Sequence, residues 1–99
     1  MAIAEVTVIP IGTGSTSLSS YVAELQHVLE KQSGITYTLT SMSTIIEGPL
    51  DQVFVAIRAI HEAPFQSGAG RVSTSVKIDD RRDKASSSEQ KLRSVREKL

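Results

Sequence analysis

Cysteine and tryptophan are absent from the chain, and the only aromatic residues are two Tyr and two Phe. Without cysteine, neither a disulfide nor a thiolate metal site can staple the fold. With so few rings, a core must be packed mainly by Val, Ile and Leu, and an apolar content of 39% is enough for one. A long hydrophobic run is also missing: none approaches the ~20 residues that cross a bilayer. The N-terminus lacks the basic region and long apolar stretch of a secretory leader, because Glu5 interrupts the first apolar run. These absences lead to the expectation of a soluble cytoplasmic protein without a membrane partner. A length of 99 residues predicts a single domain over 1–99, since so short a chain builds one core.

Charge sums to zero but is unevenly spread. Residues 1–70 carry two basic and six acidic side chains, and residues 71–99 carry nine basic and five acidic, so the parts balance at −4 and +4. A basic tail raises nucleic acid as a partner. Here the cations are interleaved with Asp79, Asp80, Asp83, Glu89 and Glu97, and no aromatic residue accompanies them to stack on bases. Nucleic acid is therefore not expected, and complementary halves suit contacts between subunits.

Residues 3–11 are rich in β-branched side chains and apolar at both parities, Ile3, Ile9 and Ile11 against Ala4, Val6 and Val8. Such a strand belongs in the centre of a sheet, or in a sheet whose second face meets another subunit. Pro10 donates no ladder bond and should sit at the strand's end or a bulge. After the turn segment 12–17 a helix is predicted from near Leu18, with Ser17 or Thr16 as N-cap, a stripe of Leu18, Val22, Leu25 and Leu29, and Gly34 as its C′ residue. Residues 35–41 alternate strictly and predict a half-buried edge strand. Thr44–Glu47 predict another strand. Pro49 suits the first position of a second helix, with a stripe of Leu50, Val53, Phe54, Ile57 and Ile60 or His61, ended by Pro64. Residues 71–79 alternate as a last strand. Ser86 and Glu89 have capping-box spacing before a helix over about 88–98, whose stripe of Leu92, Val95 and Leu99 is too narrow to stand alone.

The order β-α-β-β-α-β predicts an α+β, ferredoxin-like βαββαβ sandwich with an antiparallel sheet in the order 4-1-3-2 and an extra C-terminal helix. Both main helices then cover one face. The other stays open, and in the first strand it should still be largely apolar, which predicts oligomerisation through the sheet.

In this layout the loop 12–19 and Ser43-Thr44 share one end of the domain. Ser15, Ser17, Ser19, Ser43 and Thr44 would gather hydroxyls near a helix N-terminus, where a polar pocket for a small ligand is one reading and an ordinary capped loop the plainer one. Glu47 closes an apolar strand, where an ionised carboxylate needs partners: a ligand amine, water or a basic side chain. Thr44 and Glu47 differ in parity, so one site holding both requires a bulge or a subunit interface. His27 and His61 lie on different helices without metal-ligand spacing, so no metal is expected. No nucleophile elbow, base-orienter pair or usable carboxylate pair is present, so no catalytic residue is predicted. Arg81, Arg82, Asp83 and Lys84 read as a solvated linker or an intersubunit ion cluster.

Several segments together resemble the small thiamine-binding protein family, long an uncharacterised conserved family. They are Pro10–Gly14, Ser17–Val22, Thr44–Gly48, His61-Glu62, Gly70–Val72 and Ile78–Lys84, which span nearly the whole chain in order. The resemblance implies the ferredoxin-like plan, a homotetramer built as a dimer of dimers with sheets joined across subunits, and thiamine or its hydroxymethylpyrimidine part as a ligand bound without conversion, with no other cofactor. An aminopyrimidine wants a carboxylate or carbonyl acceptor and hydroxyl partners, and a thiazolium cation tolerates negative charge nearby. Glu47, Thr44, Ser43 and the hydroxyls of Ser15, Ser17 and Ser19 are the residues expected to serve. Two alternatives stay open. One is a structural or regulatory interaction module without a small ligand, and the other an enzyme of thiamine or pyrimidine metabolism.

Overall fold

The β-branched first segment forms an inner strand, β1 (Ala2–Pro10), of a four-stranded antiparallel sheet. A computed structural model describes residues 1–84 and 87–99. After β1 come α1 (Ser19–Glu30), β2 (Thr36–Leu39), β3 (Thr44–Gly48), α2 (Leu50–Gln66), β4 (Val72–Asp80) and α3 (Ser88–Glu97). The sheet order β2-β3-β1-β4 is the predicted 4-1-3-2 counted from the other edge. Pro10 ends β1, and its missing N–H falls on the side away from β4, where it breaks no ladder bond.

Register sorts the side chains into two faces. Ala2, Ala4, Val6 and Val8 are buried on the helix side, with Ile46 beside them on β3 and Leu25, Leu29, Val53, Ile57 and Ile60 above. Fully burying one such Leu, Ile or Val contributes roughly 1.5–3 kcal/mol. Four alanines, Ala2, Ala4, Ala56 and Ala63, complete the core. Small residues on both the sheet and α2 let the two layers approach closely, which is how a chain short of aromatics closes its interior.

Several boundaries differ from the sequence expectation. The N-cap of α1 is Leu18, with no side-chain cap bond, because the neighbouring hydroxyls are used within the loop: the Ser17 N–H donates to Ser15 Oγ, and Ser17 Oγ pairs with Ser19 Oγ. Helix α1 ends at Glu30 with Lys31 as C-cap, so Gly34 is not its C′ residue; with φ of 77° it turns the chain into β2. Pro49 is the N-cap of α2 and not its first helical residue. Pro64 does not end α2. Its ring is buried and its φ suits a helix, so the chain keeps turning to Gln66 despite the lost N–H. Phe54 is 51% exposed, and the buried stripe runs through Val53, Ala56, Ile57, Ile60 and Ala63 instead. Ser87 caps α3 by accepting from the Gln90 N–H, and Ser86 of the expected capping box lies outside the described residues.

The open face of β1 carries Ile3, Glu5, Thr7 and Ile9, so it is mixed and not largely apolar as expected. Its two ends are treated differently. At one end the first turn of α3 sits over the row Glu47–Ile3–Asp79: the Ser88 N–H donates to Glu47 Oε1 at 2.6 Å, and Lys91 Nζ bonds Asp79 Oδ2. At the other end Ile9 and Ile11 are each 41% exposed.

Candidate ligand-binding site

The two inner strands differ in reach. β1 pairs with β4 from Ala2 to Pro10, but with β3 only from Ala2 to Val6, because β3 begins at Thr44 opposite Val6. The second half of β1 therefore has a neighbour on one side only. In an antiparallel strand a residue directs its N–H and C=O to the same side, and the next residue directs both to the other. The Ile11 N–H donates to Arg71 O on the β4 side, so Ile9 also faces β4, while Val8 and Pro10 face the side that β3 does not reach. Val8 thus offers a donor and an acceptor to a gap in the sheet, and Pro10 offers an acceptor only.

A cavity of about 450 Å³ occupies this gap. Its walls are Val6, Val8, Ile9 and Ile60 with Leu18, Val22 and Leu25 of α1, and its rim is the β2–β3 turn from Leu39 to Thr44. The rim is held by its own hydroxyls. Thr40 Oγ1 donates to Ser43 O at 2.9 Å and accepts from the Ser43 N–H at 3.0 Å, while Thr7 Oγ1 reaches Met42 O across the mouth at 3.4 Å. Thr44 is the one buried polar residue among those described, and its hydroxyl accepts from Gln26 Nε2 at 3.3 Å. Ser43 Oγ donates to Glu5 Oε2 at 3.1 Å, which brings a carboxylate to the rim. The arrangement suits a flat, partly polar guest: aliphatic walls for its faces, and hydroxyls, one carboxylate and a free peptide edge for its heteroatoms.

Of the residues singled out in the sequence, the structure brings Ser43 and Thr44 to this cavity. Ser15 lines an adjoining, shallower hollow with Gly12, Thr13, Gly14 and Thr16, which shares Ile9 and Leu18 with the cavity, and the paired hydroxyls of Ser17 and Ser19 stand outside both. The loop and the turn do share one end of the domain, but β1 runs four residues past the start of β3 and separates them. Glu47 is on the opposite sheet face from Thr44, as its parity requires, and its carboxylate is bonded to the Ser88 N–H.

Glu5, Gln26 and the Val8 peptide were not singled out by sequence reasoning. Glu5 had a signal, as the only charge in an otherwise apolar strand; the gap had none, because it follows from the unequal lengths of β1 and β3. His61 Nδ1 bonds Thr74 Oγ1 at 2.7 Å, and His27 lies near Glu30, both away from the cavity. Among the described residues no helix is long and apolar enough to cross a membrane. The segment after β4 is tied locally: Arg82 to Asp80 and Arg81 to Asp83, each guanidinium holding its carboxylate below the ordinary value.

By its fold the chain is a ferredoxin-like α+β protein with a small-molecule-sized cavity at a sheet gap. A family profile described as thiamine-binding protein matches residues 4–96. The UPF0045 protein YqgV of Bacillus subtilis is 54% identical over all of this chain and 98% of its own length, and a UPF0045 protein of Methanothermobacter thermautotrophicus is 48% identical over the whole of both. The crystal structure of a hypothetical protein from Methanocaldococcus jannaschii superposes with a TM-score of 0.85 at 35% identity, covering 97% of this chain and 96% of that one. The chain belongs to this thiamine-binding, UPF0045 family, whose names carry no catalytic activity.

Proposed function

We propose that this protein binds thiamine, or its hydroxymethylpyrimidine part, in the sheet-gap cavity and releases it unchanged. The observation that carries this reading is the gap itself, in which aliphatic walls and a hydroxyl-and-carboxylate rim meet a strand edge with a free donor and acceptor. Its volume lies within the range of small-molecule sites. An aminopyrimidine presents adjacent donor and acceptor groups along one edge, the complement of the Val8 peptide group. Ser43 and Thr44 supply hydroxyls, and Glu5 supplies the negative charge that favours an amino group or a cationic ring. The family description supports the ligand class. Non-catalytic binding is supported by the hydroxyls at the cavity, which are engaged with Gln26, Glu5 and the turn backbone, and by histidines that lie elsewhere.

Calorimetric titration of the purified protein with thiamine and with hydroxymethylpyrimidine tests the proposal. Saturable heat at one ligand per chain is expected, with the ligand's mass unchanged after incubation. No heat at millimolar ligand would exclude thiamine binding, and a changed mass would make the protein an enzyme.

We also propose a homo-oligomer built on the free edge of β4. By the alternation given above, Val72, Thr74, Val76, Ile78 and Asp80 direct their peptide groups away from β1, so a second copy can pair along the whole strand about a two-fold axis at Val76. That register sets Val76 against itself and Thr74 against Ile78, covering exposed apolar surface. It also sets Lys77 against Ser75 and Asp79 against Ser73, so no like charges oppose. Charge blunts this nine-residue edge only at Lys77 and at its end, Asp79 and Asp80. A dimer of two such dimers is the tetramer that the family resemblance implies. Sedimentation velocity reads the oligomer directly.

A further inference from the structure

We infer that α3 is an arm that docks on a second copy of the chain and closes the candidate cavity from the sheet's open face. The inference rests on the β4 edge dimer proposed above. Only the first turn of α3 touches its own domain; from Lys91 onward every residue is exposed, with Leu92 at 54%, Val95 at 57% and Leu99 at 98%. A ten-residue helix with a bare apolar stripe is not stable in isolation. Its two anchors set its heading. It starts at Glu47 on β3, passes Ile3 of β1 and reaches Asp79 on β4, so it points over the free edge.

The occupant follows from the same register. With Val76 on the axis, Asp79 lies beside Ser73 of the partner subunit, and within each chain Ser73 is paired to Ile9. Two strand spacings, about 10 Å, separate Asp79 from Ile9 of the partner subunit. Along the helix Val95 lies about 6 Å beyond Lys91 and Leu99 about 12 Å. The stripe of the arm therefore arrives over the exposed Ile9 and Ile11 of the partner subunit.

This docking bears on the cavity, because Ile9 lines it at the gap in the sheet. On the helix side the gap is walled by α1. On the open face one chain supplies only Thr7, Ile9 and the turn at Met42 and Ser43, and the partner's arm covers them. The complete site then belongs to the dimer.

The chain has no native cysteine, so single cysteines report cleanly. Ile9→Cys and Val95→Cys chains, co-expressed and treated with a short bismaleimide, should give a covalent dimer in the mixed sample and little in either variant alone. A second variant, Leu92→Glu with Val95→Glu, should weaken self-association at least tenfold and thiamine affinity in parallel. A stable dimer without the mixed cross-link would overturn the arm and leave the edge pairing standing. A monomer at all concentrations would overturn both.

Discussion

Glu47 and Ser88, 41 positions apart, are joined by a 2.6 Å bond from the first-turn N–H of α3 to the carboxylate at the end of β3. A helix N-terminus carries partial positive charge and unpaired donors, so a carboxylate there is doubly favourable. Replacing Glu47 with Ala should free the arm: α3 amides should lose their hydrogen-exchange protection while those of β1 and α2 keep theirs. The expected loss of stability is about 1.5–3 kcal/mol, the range for a hydrogen bond to a charged group. Unchanged protection in α3 would show that Lys91 and Asp79 hold it alone.

Ser43 and Glu5 meet at the cavity rim, at 3.1 Å. If the guest sits in the gap, Glu5→Gln should weaken thiamine binding about tenfold, equivalent to about 1.4 kcal/mol. Thermal stability should change little, because Glu5 is exposed. Titration calorimetry and a melting curve on the same variant separate the two effects.

Gly48 lies against the carbonyl of Gly34: an added Cβ would stand 2.7 Å from that oxygen and 3.2 Å from Cγ2 of Ile35. Both neighbours are held by the turn into β2, so the contact cannot relax cheaply. Gly48→Ala should destabilise the protein by about 1–3 kcal/mol, the range for overpacking, measured by urea unfolding.

Phe54 and Ile57, one helical turn apart on α2, should respond unequally to truncation. Ile57→Ala should lose about 2–4 kcal/mol through transfer and cavity terms. Phe54→Ala should lose about 0.5 kcal/mol or less, because its ring is half in solvent. A large effect at Phe54 in the oligomer alone would place that ring in a subunit contact.

Asp80 and Asp83 should titrate below their ordinary value of 3.8, because each is bonded to a guanidinium, Arg82 and Arg81 respectively. A lowered folded-state pKa means that each pair contributes above the unfolded value and fades as pH falls through the folded one. Carboxyl chemical shifts read this directly, and Arg82→Ala should return Asp80 toward 3.8 while leaving Asp83 unmoved.

The element order, the sheet order and the alternation of β4 were legible because period-2 and period-3.6 patterns survive in the residues themselves. Phe54 misled because its spacing suits the buried stripe, while Ala56 and Ala63, which complete that stripe, carry little hydrophobic signal. The caps misled because a run of serines offers several equivalent hydroxyls, and the loop's own turns take them. Ser43 and Thr44 could be placed at that end of the domain through the strand pairings, and they line the candidate cavity. Glu47 drew attention correctly as a carboxylate in need of a partner, but that partner, a backbone N–H from α3, has no side-chain signature. The gap was illegible because a missing pairing leaves no mark on either strand's sequence.

That missing pairing has a consequence for how this protein and its relatives can diverge. In the proposed complex a guest in the gap would meet the peptide group of Val8, and every residue but proline at that position would present the same N–H and C=O. Substitutions there can reshape the wall without deleting the recognising atoms, so selectivity at this edge is carried by strand length. Extending β3 by two residues would fill the gap with a ladder bond and abolish the site, while the surrounding side chains stayed as they are.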